Sequence, residues 1–204
     1  MPTNNNTSAT GGFLTETGAV TRIQLENLWH DVISGLSGIQ GKLVRPAFQE
    51  DPGPTPGAAV TWAAFQIMNG DANNYPHVQH YGEDDGETVV YDQTTKNVLV
   101  SFYGPEADDK ADALRRQLHI RQNRDALRAA GVAVTWVDAP FQLPELVNDK
   151  WLRRVDLKIN SVVDIAGAYQ ILNLLRADGG LLADVHEGNQ LRHEFDTNNI
   201  EQGG

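Results

Sequence analysis

The residues best placed to do chemistry lie between positions 77 and 87. His77 and His80 stand three apart, and Asp84 and Asp85 follow closely. Two imidazoles and a carboxylate are a zinc-ligand set. Residues 77–81 read as a strand, however, and positions i and i+3 of a strand point to opposite faces. The two rings then converge on one ion only where the segment bends. Glu83, Asp84, Asp85 and Glu87 place four acids in five positions. A calcium loop spaces its oxygen ligands around a central glycine. Here the acids are crowded and Gly86 comes late, so the run reads as a solvated hairpin tip. Gly35-Leu-Ser-Gly38 lacks the Gly-x-Ser-x-Gly spacing and the preceding strand of a nucleophile elbow, and reads as a helix stop. Trp151, Arg153 and Arg154, with Lys150 before them, form a compact basic group beside an aromatic. It is too small for a single-stranded nucleic-acid groove. It suits a structural ion pair, or a contact to an acidic neighbouring subunit. Neither phosphate-binding glycine motif occurs, neither Gly-x-x-x-x-Gly-Lys-Ser/Thr nor Gly-x-Gly-x-x-Gly after a strand. No catalytic residue, cofactor or metal site is assigned.

Composition narrows the setting. The chain has 204 residues, enough for one domain that hides roughly 70% of the surface its unfolded form exposes. It has no cysteine, which excludes disulfides, thiolate metal sites and thiol nucleophiles, and is compatible with a reducing compartment. Sixteen Lys and Arg against 27 Asp and Glu give a net charge of −11. Such a chain repels phosphate backbones and anionic lipid surfaces, so neither nucleic acid nor membrane is expected as a binding partner. The apolar runs are too short to span a bilayer, and Met-Pro-Thr-Asn-Asn-Asn-Thr-Ser has no basic start or apolar stretch of a signal peptide. A soluble, acidic globular protein made in the cytosol is the expectation.

The elements that must position these residues are read from periodicity. Residues 1–20 are small and polar and read as a flexible arm. Leu25, Leu28, Trp29, Val32, Ile33 and Leu36 mark one face of a helix over 21–38, with Thr21 and Gln24 as a capping box and Gly38 in the exit. Leu43–Phe48 is a short strand that Pro46 confines to an edge. Ala58–Met68 is a strand apolar on both faces, and Asn69–Pro76 a turn. His77–Tyr81 and Glu87–Tyr91 pair as a hairpin, and Asn97–Tyr103 is a separate strand with Val98, Val100 and Phe102 on one face. Gly104-Pro105 opens a second helix whose apolar stripe is Ala107, Ala111, Leu114 and Leu118. Asn123 caps a third, Arg124–Ala130, stopped by Gly131. Val132–Val137 is a strand. Trp151–Val163 is the longest one, with Arg154, Asp156, Lys158 and Asn160 on its wet face. From Asp178 the chain turns polar, with Gly179-Gly180 as a hinge. The expected organisation is an N-terminal arm (1–20), an α+β core (21–175) of mainly antiparallel sheet against two or three helices, and a C-terminal arm (176–204).

Three stretches resemble bacteriophage neck terminator proteins, the tail-terminator class. They are Ile23-Gln-Leu-Glu-Asn-Leu-Trp29 leading to Gly41-Lys-Leu-Val-Arg-Pro46, Val98-Leu-Val-Ser-Phe-Tyr-Gly-Pro105 opening into an Ala- and Asp-rich helix, and Pro144-Glu-Leu-Val-Asn-Asp-Lys-Trp-Leu-Arg-Arg-Val-Asp-Leu157. The likeness covers about 21–175, and nothing transfers onto the arms. It implies a structural virion protein, not an enzyme, that assembles as a homo-oligomeric ring, usually of six, at the head–tail junction. It implies as partners the tail tube protein, the head-side connector and a tail sheath where there is one, with DNA passing through the lumen without specific binding. Trp151, Arg153, Arg154, Glu83, Asp84 and Asp85 are the candidate subunit-interface residues. The alternatives are another phage assembly adaptor, such as a head-completion or baseplate-hub component, and a hydrolase with a scattered acidic site.

Overall fold

Thr21 opens the first helix as its spacing predicts. Its hydroxyl accepts the Gln24 N–H at 3.3 Å while the Gln24 side chain accepts the Thr21 N–H at 2.8 Å, which satisfies donors a helix start leaves orphaned. The helix runs Arg22–Ser37 and ends at Gly38, whose φ of 71° needs a residue without a Cβ penalty. Leu25, Trp29 and Ile33 are buried along its inner face.

The computed structural model describes residues 4–5, 7–9, 12–49, 53–83, 86–143, 145–147, 150–173, 178–185 and 189–196. In chain order its elements are β1 (Asn4–Asn5), β2 (Phe13–Leu14), α1 (Arg22–Ser37), a 3-10 turn (Gly41–Leu43), β3 (Val44–Pro46), β4 (Trp62–Ala72), β5 (His77–Tyr81), β6 (Glu87–Tyr103), α2 (Ala107–Leu118), α3 (Arg121–Ala129), β7 (Val132–Val137), β8 (Phe141–Gln142), β9 (Glu145–Val147), β10 (Lys150–Leu152), β11 (Arg154–Tyr169), β12 (Asp178–Val185) and β13 (Asn189–Asp196). The chain divides into a larger unit, residues 16–79 and 89–168, and a smaller one, residues 1–15, 80–88 and 169–204.

The larger unit is built on a sheet in the order β3-β4-β6-β11-β7, with β8 also on β11. β3 pairs with β4 in parallel; β4–β6, β11–β7 and β11–β8 are antiparallel. The architecture is α+β, with a mixed sheet and three α-helices among the described residues. Ala63 and Phe65 of β4, Val98, Val100 and Phe102 of β6, and Val155, Leu157 and Ile159 of β11 alternate inward. They form one buried cluster with α1, with Ala107, Ala111, Leu114 and Leu118 of α2, and with Leu127 of α3. Full burial of each large member contributes about 1.5–3 kcal/mol, so this interdigitated layer dominates the stability of the unit.

Several boundaries differ from the sequence reading for local reasons. β3 sits at the sheet edge, as Pro46 requires. β4 does not end at Met68 but runs to Ala72, across a bulge where Asn69 faces Lys96 and Ala72 faces Thr94. The residues between Tyr91 and Asn97 therefore join two expected strands into one, β6, with buried Thr94 inside it. The expected turn shrinks accordingly, and Asn73 Oδ1 accepts the Tyr75 N–H at 3.0 Å within it. α3 starts at Arg121, with Ile120 before it. Asn123 does not cap it; its Nδ2 donates to the Gln117 carbonyl at 2.8 Å and closes the end of α2 instead. β11 begins at Arg154, because Lys150–Leu152 leaves the sheet to pair with β9. At 16 residues β11 is shorter than the 17 of β6. Asp156, expected on a wet face, is buried.

In the smaller unit Thr7 bridges Gln170, and the Ser8 N–H donates to the Gln170 carbonyl at 2.9 Å. β12 and β13 pair antiparallel across eight residues each. Gly179 and Gly180, expected as a hinge, lie inside β12 opposite Phe195 and Glu194.

Candidate subunit interface

The basic group around Arg154 is assembled from several elements of the larger unit. β9 and β10 form a short antiparallel ladder with Trp151 opposite Leu146, and Trp151 is 72% exposed. The next residue but one, Arg153, donates from Nη1 to Asp108 in the first turn of α2 at 3.3 Å. The other Asp108 oxygen accepts from Gln142 of β8 at 2.8 Å. One carboxylate thus ties the start of α2 to β8 and to the residue that links β10 to β11, and its charge also favours the positive end of that helix.

Arg154 is committed more deeply. Its Nε and Nη2 donate to the two Asp156 oxygens, both at 2.8 Å, and Nη1 to Glu145 at 3.3 Å. The guanidinium lies 5.9 Å from the centroid of the Tyr103 ring, within cation–π range. Tyr103 in turn stacks on Trp62 of β4 at 4.2 Å, with planes 10° apart. Asp156 holds the guanidinium more firmly protonated than an isolated arginine. Burial raises the pKa of the Tyr103 phenol, and the Arg154 charge partly opposes it. Of the two readings open for this basic group, the structural ion pair is the one built here. Trp151 and Arg153 are its exposed members. Trp136, 65% exposed, stands on β7 with its indole N–H donated to Asp138 at 2.7 Å.

Each histidine of the 77–87 stretch has its own partners. The His77 ring lies 5.9 Å from that of Tyr91. In the smaller unit, His80 places Nδ1 2.8 Å from the Thr88 hydroxyl and Nε2 2.9 Å from Asn173 Oδ1. Glu83 is exposed, and its carbonyl accepts the Gly86 N–H at 3.1 Å. Asp84 and Asp85 lie outside the described residues. Among the described residues no three His, Cys, Asp or Glu gather in a metal-binding arrangement, and no helix is long and apolar enough to cross a membrane.

Sequence reasoning found Arg153 and Arg154 but missed Asp108, Glu145 and the Trp62–Tyr103 stack. The available signal was Arg154-x-Asp156: i and i+2 on a strand share a face, so the pair was within reach of each other from the start. The stack joins residues 41 positions apart through the β4–β6 register, which no local spacing announces.

Fold and site together define an α+β body whose charged side chains clamp its own strands and helix ends. The chain belongs to the phage neck terminator protein family, whose sequence profile matches residues 24–183. No curated protein matches the chain. The family is structural, resides in the virion at the neck, and associates with other head and tail proteins.

Proposed function

We propose that this chain assembles as a closed ring of six copies at the head–tail junction, where it caps the tail tube and joins it to the head-side connector. The observation that carries this reading is the family match across the α1-to-β12 span. The supporting physics is charge. Six copies at −11 carry −66, a net charge that does not attract the DNA that must slide through the ring. The ring meets the tail tube protein on one face and the connector on the other, with a sheath as an additional neighbour on tails that have one. Trp151, Arg153, Arg154, Glu83, Asp84 and Asp85 are proposed for contacts between subunits. Trp151 serves as the apolar anchor, because aromatic residues concentrate binding energy at interface centres. Arg153 and Arg154 hold the strand beneath it. The arms, 1–20 and 176–204, are proposed to order against neighbouring subunits.

Native mass spectrometry of the purified chain, with and without tail tubes, tests the proposal. A discrete multiple of the chain mass that binds tube ends is the expected result. A chain that stays monomeric in both conditions and ignores tube ends contradicts it.

A further inference from the structure

The helices α2 and α3 gather the charge of an acidic chain into two poles. The first pole opens α2. Between positions 106 and 112, Glu106, Asp108, Asp109 and Asp112 stand against Lys110, a local net charge of −3. Asp108 is committed to Arg153 and Gln142. Glu106, Asp109 and Asp112 recur at every third position and are exposed, so they follow one outer stripe. The second pole is the corner where α2 meets α3. Between positions 113 and 131 five arginines stand against Asp125, a local net charge of +4 in a chain of −11. Counting Asp31, which lines the α1–α3 groove together with Asn123, lowers that to +3.

The dipole of α2 accounts for the acids at its start and for Arg115 and Arg116 at its end. It does not account for α3. That helix opens on Arg121 and has no acid in its first turn, so a cation sits at the end where a helix dipole disfavours one. The Arg121 side chain is 94% exposed and lies 3.5 Å from Asp125, a carboxylate that Arg128 also reaches, at 2.9 Å. Arg116 stands 3.9 Å from Asp112. Such exposed pairs hold their members weakly. Ile120, between Arg116 and Arg121 in the chain, is exposed. An apolar residue among exposed arginines matches the composition of protein interfaces, where Arg is enriched.

We propose that the arginine corner of one copy receives the acidic start of α2 from a second copy, with Ile120 covered at the contact. This inference rests on the ring reading and supplies a subunit contact for it. The two poles lie at opposite ends of a 12-residue helix, about 18 Å apart, so every copy offers both. The contact is then head-to-tail and continues from copy to copy until rotation closes it. Copies at −11 repel each other, and repulsion is least in the orientation that lays the basic corner on an acidic start. Charge therefore fixes which way neighbours face. The acidic start is also continuous with the residues proposed above for subunit contacts: Asp108 in its first turn holds Arg153 at 3.3 Å, two positions after Trp151.

Charge reversal in the full-length protein tests the contact. One variant carries Arg116→Glu and Arg121→Glu, the other Glu106→Lys and Asp109→Lys. All four side chains are exposed, and thermal melts confirm that each variant keeps the fold. Native mass spectrometry in the presence of tail tubes reads the assembled fraction. Each variant alone should assemble about tenfold less than the unsubstituted chain, since attractive exposed pairs become repulsive at every contact. An equimolar mixture should recover assembly, because alternating copies again set opposite charges together and a ring of six admits alternation. Arg116→Gln and Arg121→Gln, which remove charge without reversing it, should cost about threefold. The lysine variant is the sharper arm. Its net charge is −11 + 4 = −7, so general repulsion alone would favour its assembly. Reversed variants that assemble like the unsubstituted chain overturn the proposal. So does a mixture that stays impaired, the result expected if the corner takes DNA or a different acidic protein. The unsubstituted protein separates the two ideas. A ring that the reversals leave intact removes this contact and keeps the ring; a persistent monomer removes both.

Discussion

The Arg154–Asp156 pair makes an unequal prediction for its two halves. Asp156 is 3% exposed at its side chain and Arg154 26%. Replacing Arg154 with Met strands a carboxylate that water cannot reach. Breaking a buried pair in this way costs about 3–5 kcal/mol. Replacing Asp156 with Ala strands a guanidinium that keeps Glu145 at 3.3 Å, the Tyr103 ring at 5.9 Å and partial access to water. Solvent screening and the second carboxylate reduce that cost to about 1–2 kcal/mol. The double variant removes both charges, and its cost should fall below that of Arg154→Met alone. Coupling between contacting groups is then about 1–3 kcal/mol. Urea denaturation of the four proteins at neutral pH, followed by circular dichroism, measures the cycle. Equal costs for the two single variants, or a double variant equal to their sum, would refute the reasoning that the carboxylate is the member that needs its partner.

Other outcomes follow from the same geometry. His30 sets Nδ1 3.0 Å from Asp31 Oδ1 and Nε2 3.0 Å from the Gly41 carbonyl oxygen, two acceptors that only a doubly protonated ring satisfies. The Asp31 hydrogen bond raises its pKa, partial burial opposes this, and the Gly41 carbonyl adds to the rise. That stabilisation is fully present below the unfolded value of about 6.5 and is lost as pH climbs through the raised folded value. Melting temperature against pH should therefore fall more steeply above about pH 6.5 for the wild type than for His30→Gln; parallel curves would remove the imidazolium. Trp29 is fully buried, and its Nε1 has no hydrogen-bond partner among the described residues. Trp29→Ala should cost about 3–5 kcal/mol in chemical denaturation and Trp29→Phe much less, since only packing is lost; equal losses would show that the indole N–H matters. Gly104 has φ of 100°, and a Cβ there would lie 2.5 Å from the Val60 carbonyl oxygen. Gly104→Ala should destabilise by about 3 kcal/mol or more, and a melting temperature within a degree or two of wild type would contradict the strain.

How far the sequence alone reached depended on how local each signal was. The α1 capping box, the α2 stripe of Ala107, Ala111, Leu114 and Leu118, and the inward set Val98, Val100 and Phe102 rest on neighbours within a turn or a strand, and they stand as read. The Asn69–Ala72 and 92–96 segments look like turns, being polar, yet pairing across the β4–β6 bulge keeps them extended. Tertiary pairing there overrides weak local preference. Asn123 has the chemistry of a cap and uses it on the carbonyl of the preceding helix, a choice that spacing alone does not reveal. Asp156 alternates with buried residues and was placed in water; Arg154, two positions away, is what permits its burial. The site residues were legible as charges and aromatics, but their partners Tyr103, Trp62, Asp108 and Glu145 arrive from distant strands and a helix end.

The ring at the head–tail junction is tested most directly by imaging intact phage particles with this subunit located. The account predicts a closed annulus of its density between the tail tube and the head-side connector. Density at the baseplate, a single unpaired copy at the neck, or normal infectious particles assembled without the protein would contradict it.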